Sequence, residues 1–418
     1  MDGGDDRKRG EDGGPSAGDP GVDAANVLPY ARQWIDEDDI AAVTAVLRSE
    51  WLTQGPRIER FEAELARTFG VAHAVAVSSG TAALHAGVVA LGLGRDGIGI
   101  TSPITFAASA NAFLYAGADP VFVDVDPVSG LVRVDSIEEA VECRHRAGLP
   151  PGVVVPVSLA GALPDLPALA QVCRRRGWRI LEDAAHSPGA RRAGAVGEFA
   201  SAACVHTDAA ILSFHPVKHV CAGEGGAVLT NDAAVAEQVR RLRSHGIVRK
   251  PVTASSPADE GPWFYEQHEL GFHYRMTEMQ AALGTSQLTK LPRFLARRRA
   301  LARRYATELA SSWFAEVGVA SSFDEGCAYH LYIVHFHDER LRLRAYDWLA
   351  RQGIRTQVHY IPVYRHPHYR RLHPMAPLDG AERFYRGCLS LPLFPAMTDE
   401  EQTRVIDALR VFVEEEGR

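Results

Sequence analysis

The stretch Ala209-Ala210-Ile211-Leu212-Ser213-Phe214-His215-Pro216-Val217-Lys218-His219, followed by Gly223-Glu224-Gly225-Gly226-Ala227-Val228-Leu229-Thr230, decides how this chain is read. Two apolar runs, Ala209–Phe214 and Ala227–Thr230, have the length and composition of buried strands. The glycine-rich loop between them carries one lysine. A lone cation between two buried strands is unusual, although by itself it reads equally well as a solvated loop charge.

Outward from that loop the chain alternates strand and helix. Strands are expected at Ala74–Val77, Ile98–Thr101, Pro120–Val125, Val153–Leu159 and Trp178–Asp183, with helices at Thr81–Leu91, Phe106–Tyr115 and Leu166–Arg176 between them. This order predicts an α/β fold with a doubly wound, mostly parallel sheet. Upstream, Asp36 is an N-cap for a helix through Ile40, Val43, Val46 and Leu47, and a second helix through Ile58, Phe61, Leu65 and Phe69 stops at Gly70. After about Gly284 the texture changes to an Arg-rich helix (Leu295–Leu309), a strand (His330–His337), a helix (Arg342–Gln352), a strand (Arg355–Tyr360) and a terminal helix (Glu400–Glu415). The expected organisation is therefore a disordered acidic Gly-rich tail (1–26), a large α/β domain (27–284) and a smaller C-terminal α+β domain (285–418).

Composition narrows the function without naming it. Among 418 residues, 46% are hydrophobic and 23% charged, ordinary values for a globular protein. The formal net charge of −7 argues against a nucleic-acid binder. Seven acids and three bases fall within residues 1–26, leaving the body nearer neutral and its arginines free to meet anions. No apolar run approaches the roughly 18 residues that span a bilayer, and the N-terminus has no secretory apolar stretch. Six scattered cysteines without a C-x-x-C pair read as reduced thiols, which predicts a cytoplasmic protein.

Four polar sites fall at expected strand ends, where open α/β sheets bind ligands. Ser78-Ser79-Gly80-Thr81 turns into a helix, Asp183 ends a strand, Lys218 sits in the glycine-rich loop, and Phe106 opens a helix after Pro103-Ile104-Thr105. Each has an ordinary alternative: any strand–helix turn, an N-cap, a loop charge, a core aromatic. Together they supply what a pyridoxal phosphate enzyme needs: a Schiff-base lysine, an acid for the pyridine nitrogen, a helix N-terminus for phosphate and an aromatic against the ring. Two decoys are set aside. Gly92-Leu93-Gly94-Arg95-Asp96-Gly97 matches G-x-G-x-x-G but follows a helix and precedes a strand, the reverse of the dinucleotide context. His359, His366, His368 and His373 lie among Pro and Tyr in a loop pattern without supporting acids, so no metal site is expected.

The sequence resembles the DegT/StrS-type sugar aminotransferases, a branch of the fold-type I (aspartate aminotransferase-like) enzymes, from Tyr30 onward. The resemblance rests on Leu52-Thr53-Gln54-Gly55-Pro56, Ser79-Gly80-Thr81-Ala82-Ala83-Leu84, Glu182-Asp183-Ala184-Ala185-His186, Ser213-Phe214-His215-Pro216-Val217-Lys218, Gly223-Glu224-Gly225-Gly226 and Gly271-Phe272-His273-Tyr274-Arg275. Within that family it is most similar to the UDP-4-amino-4,6-dideoxy-N-acetyl-β-L-altrosamine transaminases of pseudaminic acid biosynthesis. The features are Phe-His-Pro-Val-Lys at 214–218, Arg243-Ser244-His245-Gly246, Gln280-Ala281-Ala282-Leu283-Gly284 and Gln357-Val358-His359-Tyr360-Ile361-Pro362-Val363-Tyr364.

The resemblance implies roles. Lys218 would be the Schiff-base and proton-carrying lysine, and Asp183 would keep the pyridine nitrogen protonated. Gly80, Thr81, Ala82 and Ser213 would hold the phosphate of pyridoxal 5′-phosphate, Phe106 would stack on its ring, and His186 would sit on its phenolic-oxygen side. Gln54, Arg243, His245, Arg275, His359 and Tyr360 would contact substrate. L-glutamate would leave the cofactor as pyridoxamine phosphate, and a nucleotide-linked keto sugar would take the amino group, in a homodimer with the site at the subunit interface. One position departs from the family: His273 stands where Asn usually reaches the neighbouring subunit's phosphate. An imidazole N–H also donates to phosphate. Three alternatives stay open: an aminotransferase for another UDP- or dTDP-keto sugar, a sugar 3-dehydratase if His219 took the lysine's place, and a non-catalytic regulator on the same fold.

Overall fold

The computed structural model describes residues 27–192, 201–248 and 263–416; the tail expected over 1–26 lies outside them. The strand runs are short and apolar on both faces. Val153–Val155 is Val throughout and fully buried, and every residue of Gly226–Thr230 is buried. Such runs suit a sheet covered on both sides. Seven strands form it: β1 (His73–Val77), β2 (Ile98–Thr101), β3 (Asp119–Phe122), β4 (Val153–Val155), β5 (Arg179–Asp183), β6 (Ala209–Ser213) and β7 (Gly226–Thr230), in the order β1-β7-β6-β5-β4-β2-β3. β7 alone runs against the others, as an antiparallel partner to both β1 and β6. The carboxyl ends of β1, β2, β5 and β6 therefore share one edge.

Beyond β7 a two-residue ladder pairs β8 (Ile247–Val248) with β9 (Glu266–Gln267). The smaller sheet is antiparallel, with β11 (Tyr332–Phe336) between β10 (Gly318–Ala320) and β12 (Cys388–Leu391). Here the structure corrects the expected strand at 355–360. That stretch makes one bridge, Gln357 to Ser390, and β12 takes the sheet position instead. Helices Val134–Arg146 and Asp379–Gly387 add to the elements expected.

The expected boundary between residues 284 and 285 falls inside one helix, Glu278–Leu309, 32 residues long and opened by a Thr277/Gln280 capping box. Gly284 is not a break. A Cβ there would lie 2.7 Å from Phe61 Cζ, so the glycine lets helix Pro56–Phe69 pack against the long helix. Leu288, Leu291 and Leu295 belong to the core of the large domain, and Leu301, Tyr305 and Leu309 to that of the small one. Core membership changes between Leu295 and Leu301. Glu278, fully buried, caps the neighbouring helix by accepting from the amides of Gly55 (3.0 Å), Arg57 (2.7 Å) and Ile58 (3.4 Å). On helix Glu37–Leu47, Asp39 and Val46 face inward, while Ile40 and Leu47 are exposed. Lys290 and Gln287 of the long helix claim Asp39 at 2.8 and 2.7 Å, which turns the polar face in.

Candidate active site

Successive residues of a strand point to opposite faces, and β5 ends in two acids. Glu182 turns into the core, where it accepts from Ser158 Oγ (2.9 Å), Ser201 Oγ (3.2 Å) and Ala202 N (3.0 Å). Asp183 turns the other way and accepts from Ser109 Oγ (2.7 Å) and Ala185 N (3.2 Å). Burial pushes the Asp183 carboxyl up; the Ser109 and Ala185 bonds and the charge of Lys218 pull it back.

Lys218 follows β6 on the same edge. Burial pushes its amine down to about 8, with Asp183 opposing and the cation of Arg298 reinforcing the shift. An amine near 8 is substantially neutral in mildly alkaline water, as a nucleophile toward a carbonyl must be. The neighbouring His219 is engaged with the backbone: its Nε2 donates to the Ala328 carbonyl at 2.9 Å, and its ring lies 5.6 Å from that of His330. Of the two, the lysine is the one whose charge acts on Asp183.

The helix Gly80–Ala90 starts beside these groups. Ser79 caps it by accepting from the Ala82 amide at 3.1 Å, so that amide, expected on a phosphate, is already engaged within the chain. The amides of Gly80 and Thr81 lead the helix and offer donors at its positive end. A Cβ at position 80 would lie 2.9 Å from Ser213 Cβ, so glycine is what seats this helix start against the Ser213 hydroxyl at the end of β6. The result is a cradle of two leading amides and two hydroxyls, Thr81 and Ser213.

His186, buried, meets the Tyr360 hydroxyl through Nε2 at 3.3 Å, and the two rings stack at 6.2 Å. Burial drives His186 well below the usual imidazole range. His359 Nδ1 pairs with Ser390 Oγ at 2.8 Å, and burial pushes its imidazole down to about 3. Phe106 is 64% exposed, with its ring 6.4 Å from that of Tyr360. Asp183, His186, Ser213, Lys218, Phe106, His359, Tyr360 and the Gly80–Thr81 turn thus gather at one edge.

A second group assembles beside the end of β1. Ser244 bridges His273, the His245 and His273 rings are 5.5 Å apart, and the Tyr274 carbonyl accepts from Ser78 N at 2.8 Å. None of the hydrogen bonds or ring contacts of His245, His273 or Arg275 among the described residues reaches Asp183 or Lys218 within the chain. Gln54 lies in left-handed backbone (φ 54°), next to Thr53, which bridges Thr277. Arg243, expected on substrate, pairs with Glu62 at 2.5 Å and donates to the Ala76 carbonyl at 2.7 Å. It ties β1 to helix Pro56–Phe69, a structural duty.

Several site residues carry no motif. Thr105 Oγ1 lies 2.7 Å from Ser109 Oγ, extending the relay behind Asp183; the i, i+4 spacing beside Phe106 was the available signal. His330 packs on His186 with ring centroids 4.2 Å apart. Arg298, 1% exposed, donates through Nη1 to the carbonyls of Tyr329, His330 and Leu393. Nothing in the sequence around Arg298 separates it from the half-buried Arg297 and Arg299 beside it.

A buried lysine, a buried carboxylate and a helix start with leading amides, at the strand ends of such a sheet, are the parts that a fold-type I pyridoxal phosphate enzyme uses. The chain belongs to the DegT/DnrJ/EryC1/StrS aminotransferase family, whose pattern it matches over residues 33–410. It is 35% identical over 400 residues to the spore coat polysaccharide biosynthesis protein SpsC of Bacillus subtilis (strain 168), covering 92% of this chain and 97% of that one. Among solved structures it resembles Helicobacter pylori PseC, an aminotransferase involved in the biosynthesis of pseudoaminic acid (TM-score 0.83, 28% identity, 93% of this chain and 100% of that one). It also resembles NtdA of Bacillus subtilis, solved with bound cofactor PMP (TM-score 0.77, 27% identity, 91% and 83%). Among the described residues no helix is long and apolar enough to cross a membrane.

Proposed function

We propose that the chain uses pyridoxal 5′-phosphate to move an amino group from L-glutamate to the 4-keto carbon of a nucleotide-linked 6-deoxy sugar. The sugar we assign is UDP-2-acetamido-2,6-dideoxy-β-L-arabino-hexos-4-ulose, giving UDP-4-amino-4,6-dideoxy-N-acetyl-β-L-altrosamine. The observation that carries the reading is the opposition of Lys218 and Asp183, with His219 tied to Ala328. A 3-dehydratase with histidine in the lysine's place is disfavoured by that arrangement.

The donor set suits the cofactor. The Gly80 and Thr81 amides with the Thr81 and Ser213 hydroxyls fit a phosphate, and the buried Asp183 fits a protonated ring nitrogen, which supplies the counter-charge its burial demands. When bound, the cofactor supplies an aldehyde for amine exchange and a ring that accepts an electron pair. The amine of Lys218 then shuttles a proton between the carbon that loses it and the carbon that gains it. Ser109 holds the Asp183 carboxylate ionised, and His186 and Tyr360 keep the cavity wall uncharged. Glutamate carboxylates and a diphosphate call for cations. His245, His273 and Arg275 are the candidates, offered to a neighbouring copy in a cytoplasmic homodimer.

The test is an amino-donor assay with L-glutamate against a panel of UDP- and dTDP-linked 4-keto sugars. Formation of 2-oxoglutarate with the UDP-N-acetyl sugar supports the assignment, and turnover with dTDP sugars alone overturns it. Colourless protein that fails to take up the cofactor overturns the catalytic reading altogether.

A further inference from the structure

Just before β11 the backbone makes a turn that an aromatic residue rarely adopts. Tyr329, 4% exposed, sits in the left-handed region at φ 49°. A bulky side chain there crowds its own backbone, at a cost on the order of 1–3 kcal/mol, so the surroundings must hold the turn in place. They hold it from two sides. Ala328 N donates to the Gly161 carbonyl (3.0 Å) and Leu331 N to the Ala160 carbonyl (3.3 Å). A Cβ on Gly161 would lie 2.7 Å from Tyr329 N and 3.0 Å from both His186 O and His330 N, so this glycine lets the turn meet the backbone of His186. On the other side, the turn's three successive carbonyls all accept from side chains. His219 Nε2 donates to Ala328 (2.9 Å), and Arg298 Nη1 donates to Tyr329 and His330 (both 3.2 Å). The same nitrogen reaches Leu393 O at 3.1 Å, just past β12.

Burial pushes the Arg298 guanidinium down to about 9, and no acid opposes the shift. A buried charge needs a counter-ion or well-placed dipoles, and carbonyls gathered from two segments supply the dipoles. Arg298 stands between Leu295 and Leu301, where the long helix passes from one core to the other. The turn it holds delivers His330, whose ring packs on His186 at 4.2 Å. His330 Nδ1 is buried without a hydrogen-bond partner, so packing and the backbone fix that ring. We propose that Arg298 is a positioning residue for the cofactor site: by fixing the Tyr329 turn it sets the His330 ring against His186, and so sets the wall that His186 offers to pyridoxal 5′-phosphate. This deepens, and rests on, the aminotransferase reading above.

The experiment titrates cofactor-free wild type, Arg298→Lys, His330→Leu and the double variant with pyridoxal 5′-phosphate, then follows the visible band of each loaded protein against pH. Arg298→Lys keeps a cation on a stem one bond shorter, so the charge stays and the reach is lost. It is expected to bind the cofactor about five- to tenfold more weakly, the effect of one displaced contact, and to shift the pH midpoint of the band. His330→Leu should reproduce the loss. The double variant should be no weaker than the weaker single one, because residues that act through one contact do not add. Losses that sum in the double variant show Arg298 acting without His330 and overturn the proposal. So does Arg298→Lys with a lowered unfolding midpoint but wild-type affinity and band, the mark of a structural role alone. If Arg298→Lys does not fold, Arg298→Met takes its place in the cycle under the same criteria. Wild type that takes up no cofactor overturns the underlying reading instead.

Discussion

Ser109 donates its hydroxyl to Oδ2 of Asp183 at 2.7 Å. This bond opposes the burial that would otherwise protonate the carboxyl. Ser109→Ala removes it and raises the Asp183 pKa further, so the ionised form is lost at a higher pH as the medium is acidified. We expect kcat to fall about tenfold, from the loss of one charge-assisted bond. The acid limb of the pH–rate profile should move to higher pH, and an unmoved limb would deny Ser109 its role on Asp183.

Lys218→Ala is expected to lower turnover by about 10²–10⁴-fold, the range of a positioned proton-transfer group, while cofactor is still taken up loosely. His219→Gln keeps a donor for Ala328 and should keep amino transfer. Steady-state rates of the two variants, measured side by side, separate the lysine reading from the histidine one.

The Lys218 amine, pushed down to about 8, becomes neutral as pH rises through that value. The rate at which cofactor-free protein captures the aldehyde, followed by colour, should therefore climb across pH 8 and level off above it. A midpoint near the ordinary lysine value of about 10.4 would refute the depressed amine. Arg298→Met, which removes a nearby cation, should move the midpoint upward.

Glu278 satisfies three amides at a helix start from a fully buried position. Glu278→Ala is expected to destabilise the protein by about 2–4 kcal/mol, more than a surface cap, since it orphans three helix-start amides at once. Glu278→Gln keeps one acceptor and should fall between. Urea unfolding of the full chain measures both.

Local patterns made most of the sheet legible, because β4, β6 and β7 are apolar runs that water excludes whatever surrounds them. The site's polar loops were legible for a similar reason: Asp183 ends such a run, Ser79-Gly80-Thr81 follows one closely, and Lys218 lies in the loop that leaves one. Pairing between distant segments was not. Gln357 and Ser390 meet once and then diverge, while Cys388–Leu391 pairs with β11, a choice made by register and not by composition. Gly284 looked like punctuation, yet its missing side chain makes room for Phe61, 223 positions earlier in the chain. His330 and Arg298 belong to the surroundings of the site through tertiary packing alone, so no spacing announces them.

The helix Glu278–Leu309 carries apolar side chains of both cores on one uninterrupted rod. Neither lobe can then be cut away with its interior intact. Severing the rod early strips the sheet domain of Leu288, Leu291 and Leu295, and severing it late strips the smaller lobe of Leu301, Tyr305 and Leu309. We expect the two lobes to unfold in a single transition, because each core draws side chains from the same helix.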